Sequence, residues 1–135
     1  VPKHIAWEAL HHDDVESIVT DLPRPIKGRL PDYYVLEAQA AEPFIVKYDL
    51  DRDKLEQVKY YDLSICLDEM AQVTNFSDPE LEKTHKKLGV RIHPMSIEDA
   101  EDAFLERFYE LYDARSARGR TGGAGADVVR VYSDE

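Results

Sequence analysis

Apolar and polar residues alternate through the middle of the chain. In YYVLEAQA, Tyr34, Leu36, Ala38 and Ala40 fall on one side of a period of two, and FIVKYDL repeats the pattern with Phe44, Val46, Tyr48 and Leu50. VKYYDLSICL adds Tyr61, Leu63, Ile65 and Leu67, with the β-branched and aromatic content that suits a pleated surface. The pattern predicts three half-buried strands joined as an antiparallel meander. YYVLEAQA has a helical alternative, because Leu, Glu, Ala and Gln are good helix formers.

On either side the period changes. Ile5, Ala6, Ala9 and Leu10 of IAWEAL share one helical arc, while Val15, Ile18, Val19 and Leu22 of VESIVTDL form an i, i+3, i+4, i+7 stripe. On one straight helix those two faces point in roughly opposite directions, so the chain must turn within HHDDVES. Asp13 with Glu16 three residues later has the layout of a capping box that starts the second helix, and Pro23 and Pro25 stop it. In NFSDPELEKTHKKLGV, Ser77, Pro79 and Glu80 mark a helix start and Gly89 a stop. SIEDAEDAFLERFYELYDARSARGR is the most legible helix: Ser96 caps it, Asp99 follows at the third position, and Ile97, Ala100, Phe104, Phe108, Leu111 and Tyr112 form a core-facing stripe. After a glycine-rich linker, DVVRVYSDE has strand character and could extend this sheet or that of another copy. The expected fold is α+β: an antiparallel sheet of three or four strands packed against amphipathic helices, in the order ααβββαα(β). A globular domain over residues 1–114 precedes a basic, then glycine-rich, tail over 115–135.

Composition narrows the class. With 135 residues, 43% hydrophobic and 33% charged, the chain falls in the range of one ordinary soluble domain. It has no apolar run approaching the roughly 18 residues of a membrane helix, and VPKHIAWEAL lacks the basic-then-apolar layout of a secretory signal. A cytoplasmic location with no membrane partner is expected. The single Cys66 cannot form an internal disulfide and reads as a small buried hydrophobe. Twenty-eight acidic against 17 basic residues give a net charge of -11, which disfavours nucleic acid and favours basic partners.

Three stretches carry candidate chemistry. On the last long helix Glu98, Asp102, Glu106 and Glu110 stand four residues apart, flanked by Asp99 and Asp113, as an acidic column opposite the apolar stripe. Like charges at that spacing repel by a few tenths of a kcal/mol per pair, roughly 1 kcal/mol in all at low salt. The column is the expected contact for a basic partner. In RPIKGRLPDYY, the residues Arg24, Lys27 and Arg29 with Tyr33 and Tyr34 form the best anion-facing surface of an otherwise acidic chain. On the first helix His4, Glu8 and His11 lie within about 60° of one another, which is metal-ligand spacing. That face is opposite the apolar arc, where polar side chains belong anyway, so HHDDVES reads as a helix boundary and no metal or other cofactor is expected. Asp49, Asp51 and Asp53 begin like a calcium loop, but Lys54 replaces the glycine and Tyr60 the closing glutamate, leaving a hairpin loop.

No nucleophile elbow, dinucleotide fingerprint or paired-cysteine site is present. The sequence therefore points first to a small acidic interaction protein, an inhibitor, adaptor, immunity-type protein or assembly subunit that binds a basic protein surface, with the tail as a possible homo-oligomer contact. The alternative is a small enzyme acting on an anionic substrate, with metal chemistry at the first helix.

Overall fold

The alternating centre of the chain folds as two long helices and contains no sheet. In the structure, a computed structural model that describes residues 1–119, a 3-10 turn (Lys3–Ile5) leads into α1 (Ala6–His11), α2 (Glu16–Val19), α3 (Arg24–Lys27), α4 (Pro31–Tyr48), α5 (Arg52–Val73), α6 (Pro79–Thr84) and α7 (Ile97–Gly119). No strand occurs among the described residues, and the α+β expectation is overturned. The segment DVVRVYSDE lies outside the described residues.

Helix propensity decides the centre. Half of the residues that support the first strand are Ala38 and Ala40, small enough to sit on any face, and EAQAAE is a run of strong helix formers. Pro31 stands at the first position of α4, where its missing N–H costs nothing. Pro43 lies inside α4, exposed, without ending it. At the corner between the two helices Asp49 adopts the left-handed conformation (φ 50, ψ 54) as C-cap of α4. Asp51 then caps α5, its Oδ1 accepting the N–H groups of Asp53 (2.9 Å) and Lys54 (3.2 Å). The expected hairpin loop is thus a junction between helices. Along α5 Ser64, Leu67 and Asp68 are buried together, a spacing of three and four where a strand would bury every second residue.

The break between the first two helices falls where the opposed stripes place it, but the buried faces differ. Ile5 and Ala6 of the apolar arc are buried on and beside α1, but Trp7, Glu8 and His11 are buried with them, so most of the polar face turns inward too. Asp13 caps nothing: α2 starts from Val15 without a side-chain cap, and Ile18 of its apolar stripe is 63% exposed. Asp78 caps α6 in place of Ser77, and the helix stops at Thr84, ahead of Gly89. Gly89 instead adopts φ +72, where buried Asp68 accepts the N–H groups of Leu88 (2.6 Å) and Gly89 (3.1 Å). Gln72 holds the same segment by donating to the Val90 carbonyl and accepting from the Ile92 N–H.

The core forms where α1 meets α5 and α7. Trp7 donates from Nε1 to the Tyr48 carbonyl at 2.8 Å, and Phe108 of α7 packs against Trp7, His11 and Tyr48. The Ser96 hydroxyl caps α7 through the Asp99 N–H (3.1 Å), as expected. Only the carboxyl-terminal half of its stripe is covered: Ile97 is 84% exposed, Ala100 and Phe104 are also exposed, and so is Leu105 beside them.

Candidate functional site

The four-residue turn that ends α1 brings a histidine against two carboxylates. His12 hydrogen-bonds through Nδ1 to the Ala9 carbonyl at 2.8 Å. A carbonyl only accepts, so Nδ1 carries the proton and Nε2 is the free end of the ring. That Nε2 lies 3.1 Å from Asp13 Oδ2 and 3.6 Å from Asp62 Oδ1 of α5. A bare nitrogen lone pair facing two anionic oxygens is repulsive; the arrangement requires a cation between them, either a proton on Nε2 or a metal ion. Burial lowers the basicity of His12, but hydrogen bonds to Asp13 and Asp62 and the charge of Asp13 overcome it and push the pKa up to about 10.

The donor types, one imidazole and two carboxylates, are those that bind a divalent metal. Metal bonds of about 2.1 Å meeting at about 90–110° hold two donors roughly 3.0–3.4 Å apart, a range that takes in the His12–Asp13 separation and that the His12–Asp62 separation slightly exceeds. The second ring nitrogen is fixed by a backbone carbonyl, the usual way a ligating imidazole is oriented. As the side chains stand, no group of three or more His, Cys, Asp or Glu among the described residues forms a ready metal site; the triad is closed on a proton.

Glu16, one turn beyond, is half-buried. Its pKa is raised by burial first and then by the Asp13 and Asp21 carboxylates, while Lys27 draws it down. Glu16 therefore lies in the fields of both the triad and the basic segment. Within that segment Lys27 pairs with Glu37 at 2.6 Å and sits 5.4 and 5.8 Å from the ring centres of Tyr33 and Tyr34. The Tyr33 hydroxyl donates to the Thr20 carbonyl, tying α4 to the end of α2. Lys27, Tyr33 and Tyr34 are thus brought together, Arg29 is exposed, and Arg24 opens α3.

The other candidates disperse. His4 is exposed, and Glu8 turns to the α4–α5 corner, with Oε1 3.4 Å from the Asp51 nitrogen and 3.7 Å from Lys54 Nζ. His11 is enclosed by aromatic rings. The three form no common site. On α7, Glu98, Asp99, Asp102, Glu106, Glu110 and Asp113 are all exposed. Glu110 pairs with Arg107, whereas Glu98, Asp102 and Glu106 have no ion pair among the described residues.

Sequence reasoning missed Asp62. The available signal was a lone acidic residue inside the apolar run YYDLSICL, together with adjacent His12 and Asp13 at a helix end.

The chain is similar to YfdR of Escherichia coli (strain K12), an uncharacterized protein, with 33% identity over 119 residues; the match takes in 85% of this chain and 66% of YfdR. The chain thus spans just under two thirds of that relative. No family model and no solved structure matches it.

Proposed function

We propose that the chain carries the core of a metal-dependent hydrolase acting on a small anionic ester, with a phosphoester as the best-fitting class. The observation that supports it is the Nε2 of His12 held between Asp13 and Asp62, with its other nitrogen committed to a carbonyl. His12, Asp13 and Asp62 would hold a divalent ion, leaving further positions for water and substrate. When bound, such an ion supplies Lewis acidity and an activated water. Glu16, whose carboxyl keeps its proton to higher pH than usual, would give that proton to the leaving oxygen as the ester bond breaks. Lys27 contributes positive charge for the anionic substrate, and Tyr33 and Tyr34 contribute apolar faces beside it. The test is calorimetric titration of Mn2+ and Co2+ into the wild-type protein, His12→Ala and Asp62→Asn, with p-nitrophenyl phosphate hydrolysis followed in parallel. Near-stoichiometric binding lost in both variants supports the reading. No binding at millimolar metal, or binding indifferent to both substitutions, overturns it.

A second reading, an interaction surface for a basic protein, rests on the amino-terminal half of α7. There exposed Ile97, Phe104 and Leu105 adjoin Glu98, Asp102 and Glu106, with no basic residue from Ile97 to Glu106. Association with a basic partner through this face should weaken steeply with salt and fall when the three glutamates and aspartates become amides. Salt-independent binding, or binding unchanged in the amide variant, excludes the column as its contact.

A further inference from the structure

Resting on the metal-site reading above, we infer that His11 and Asp14 form a clamp that positions His12 and Asp13, so that His11 and Asp14 tune metal affinity without touching the ion. His11 Nδ1 meets Asp14 Oδ2 at 2.6 Å, and the Asp14 N–H donates to the His11 carbonyl at 3.3 Å. Two bonds thus close a turn whose only interior residues are His12 and Asp13. The far side of the turn is held as well, because the Ser17 hydroxyl donates to the Asp14 carbonyl at 2.6 Å.

His11 anchors this turn to the core. Its side chain is 1% exposed; the ring stacks on Tyr48 with centres 4.2 Å apart and planes at 17°, and meets the edges of Trp7 (4.3 Å), Phe108 (5.6 Å) and Phe104 (6.4 Å). Its Nε2 is buried with no hydrogen-bond partner. A carboxylate only accepts, so Nδ1 carries a hydrogen toward Asp14, and Nε2 is left without a partner among aromatic rings. Leaving a buried polar nitrogen unpaired costs stability, and a phenyl ring would fill the same cage without that cost. What histidine adds is the bond to Asp14, and through it the fixed separation of the His12 and Asp13 donors.

This gives stability and metal affinity opposite signs in one variant. His11→Phe keeps the packing, removes the unpaired nitrogen and breaks the clamp. It should melt at or above the wild-type temperature while binding Co2+ about tenfold or more weakly, the scale of lost outer-shell support. Asp14→Ala should weaken Co2+ binding to a similar degree, and Asp14→Asn, whose carbonyl still accepts from His11 Nδ1–H, should restore it. Calorimetric Co2+ titration and thermal melts of the four proteins decide it. If wild type binds Co2+ and His11→Phe binds it equally well, the clamp is refuted and the metal site stands. If wild type binds no Co2+, both fall. Should Asp14→Ala fail to fold, His11→Phe against wild type carries the test alone.

Discussion

His12 stands between the carboxylates of Asp13 and Asp62, and its charge state governs what the site can hold. In metal-free protein it titrates near a pKa of about 10, so a divalent ion must displace a proton that is held tightly at neutral pH, and metal affinity rises with pH. Asp62→Asn removes one of the two supporting carboxylates and lowers the His12 pKa; a proton chemical-shift titration of the imidazole checks this. The folded pKa lies above the model-compound value of 6.5, so the linked stabilisation is fully present below 6.5 and is lost as pH rises through about 10. Denaturant melts of metal-free wild type should therefore lose stability relative to His12→Ala across that window, and a constant difference would refute the linkage. In sequence, adjacent His12 and Asp13 look like a helix boundary. The backbone does break there, between α1 and α2, but the role of the imidazole is not legible locally, because the second carboxylate arrives from α5.

Helices announce themselves in this sequence when cap and stripe agree, as they do for α7 with Ser96, Asp99 and the Phe104–Phe108 spacing. They are disguised in α4 and α5, where small alanines and the adjacent pairs Tyr33–Tyr34 and Tyr60–Tyr61 satisfy a period of two as well as one of 3.6. The caps of α5 lie on Asp51 and not on a serine or threonine before an apolar run; Asp51→Ala should cost about 1 kcal/mol, read from denaturant melts. The other end of the fold is fastened by Arg115 of α7. Its Nη2 donates to the Asp49 carbonyl at 3.1 Å and to Asp49 Oδ2 at 3.0 Å, and its guanidinium lies 5.3 Å from the Trp7 ring centre. Asp49 is 96% exposed on its side chain, so the ion pair itself contributes little. The carbonyl bond and the contact with Trp7 carry the effect: Arg115→Ala should destabilise by about 1 kcal/mol, and Arg115→Lys, which lacks the planar fork, should not restore it.

Across the whole molecule the aromatic cluster of Trp7, His11, Tyr48 and Phe108 joins α1, α4 and α7. Phe108→Ala empties the middle of that cluster and should cost about 3 kcal/mol in a denaturant melt, releasing α7 from α1. The same loss frees the ring of His11, so metal affinity should fall with stability in Phe108→Ala, whereas in His11→Phe the two diverge. A large apolar surface remains outside this core: no residue of α4 is buried, and Val46 is 77% exposed. No helix among the described residues is long and apolar enough to cross a membrane.

The sequence alone determined the features that depend on neighbours within a turn or two: the break inside HHDDVES, the capped start and long run of α7, the acidic column, and the proximity of Lys27 to Tyr33 and Tyr34. Tertiary structure decided everything that depends on distant partners. It buried Glu8 and His11 of the polar face of α1, because Glu8 found the α4–α5 corner and His11 found aromatic rings and Asp14. It supplied no partner strand for the alternating centre, whose own helix propensity then closes its backbone hydrogen bonds within α4 and α5. It also brought Asp62 to His12, a meeting made when α1 packs against α5 and carried by no local pattern in the sequence.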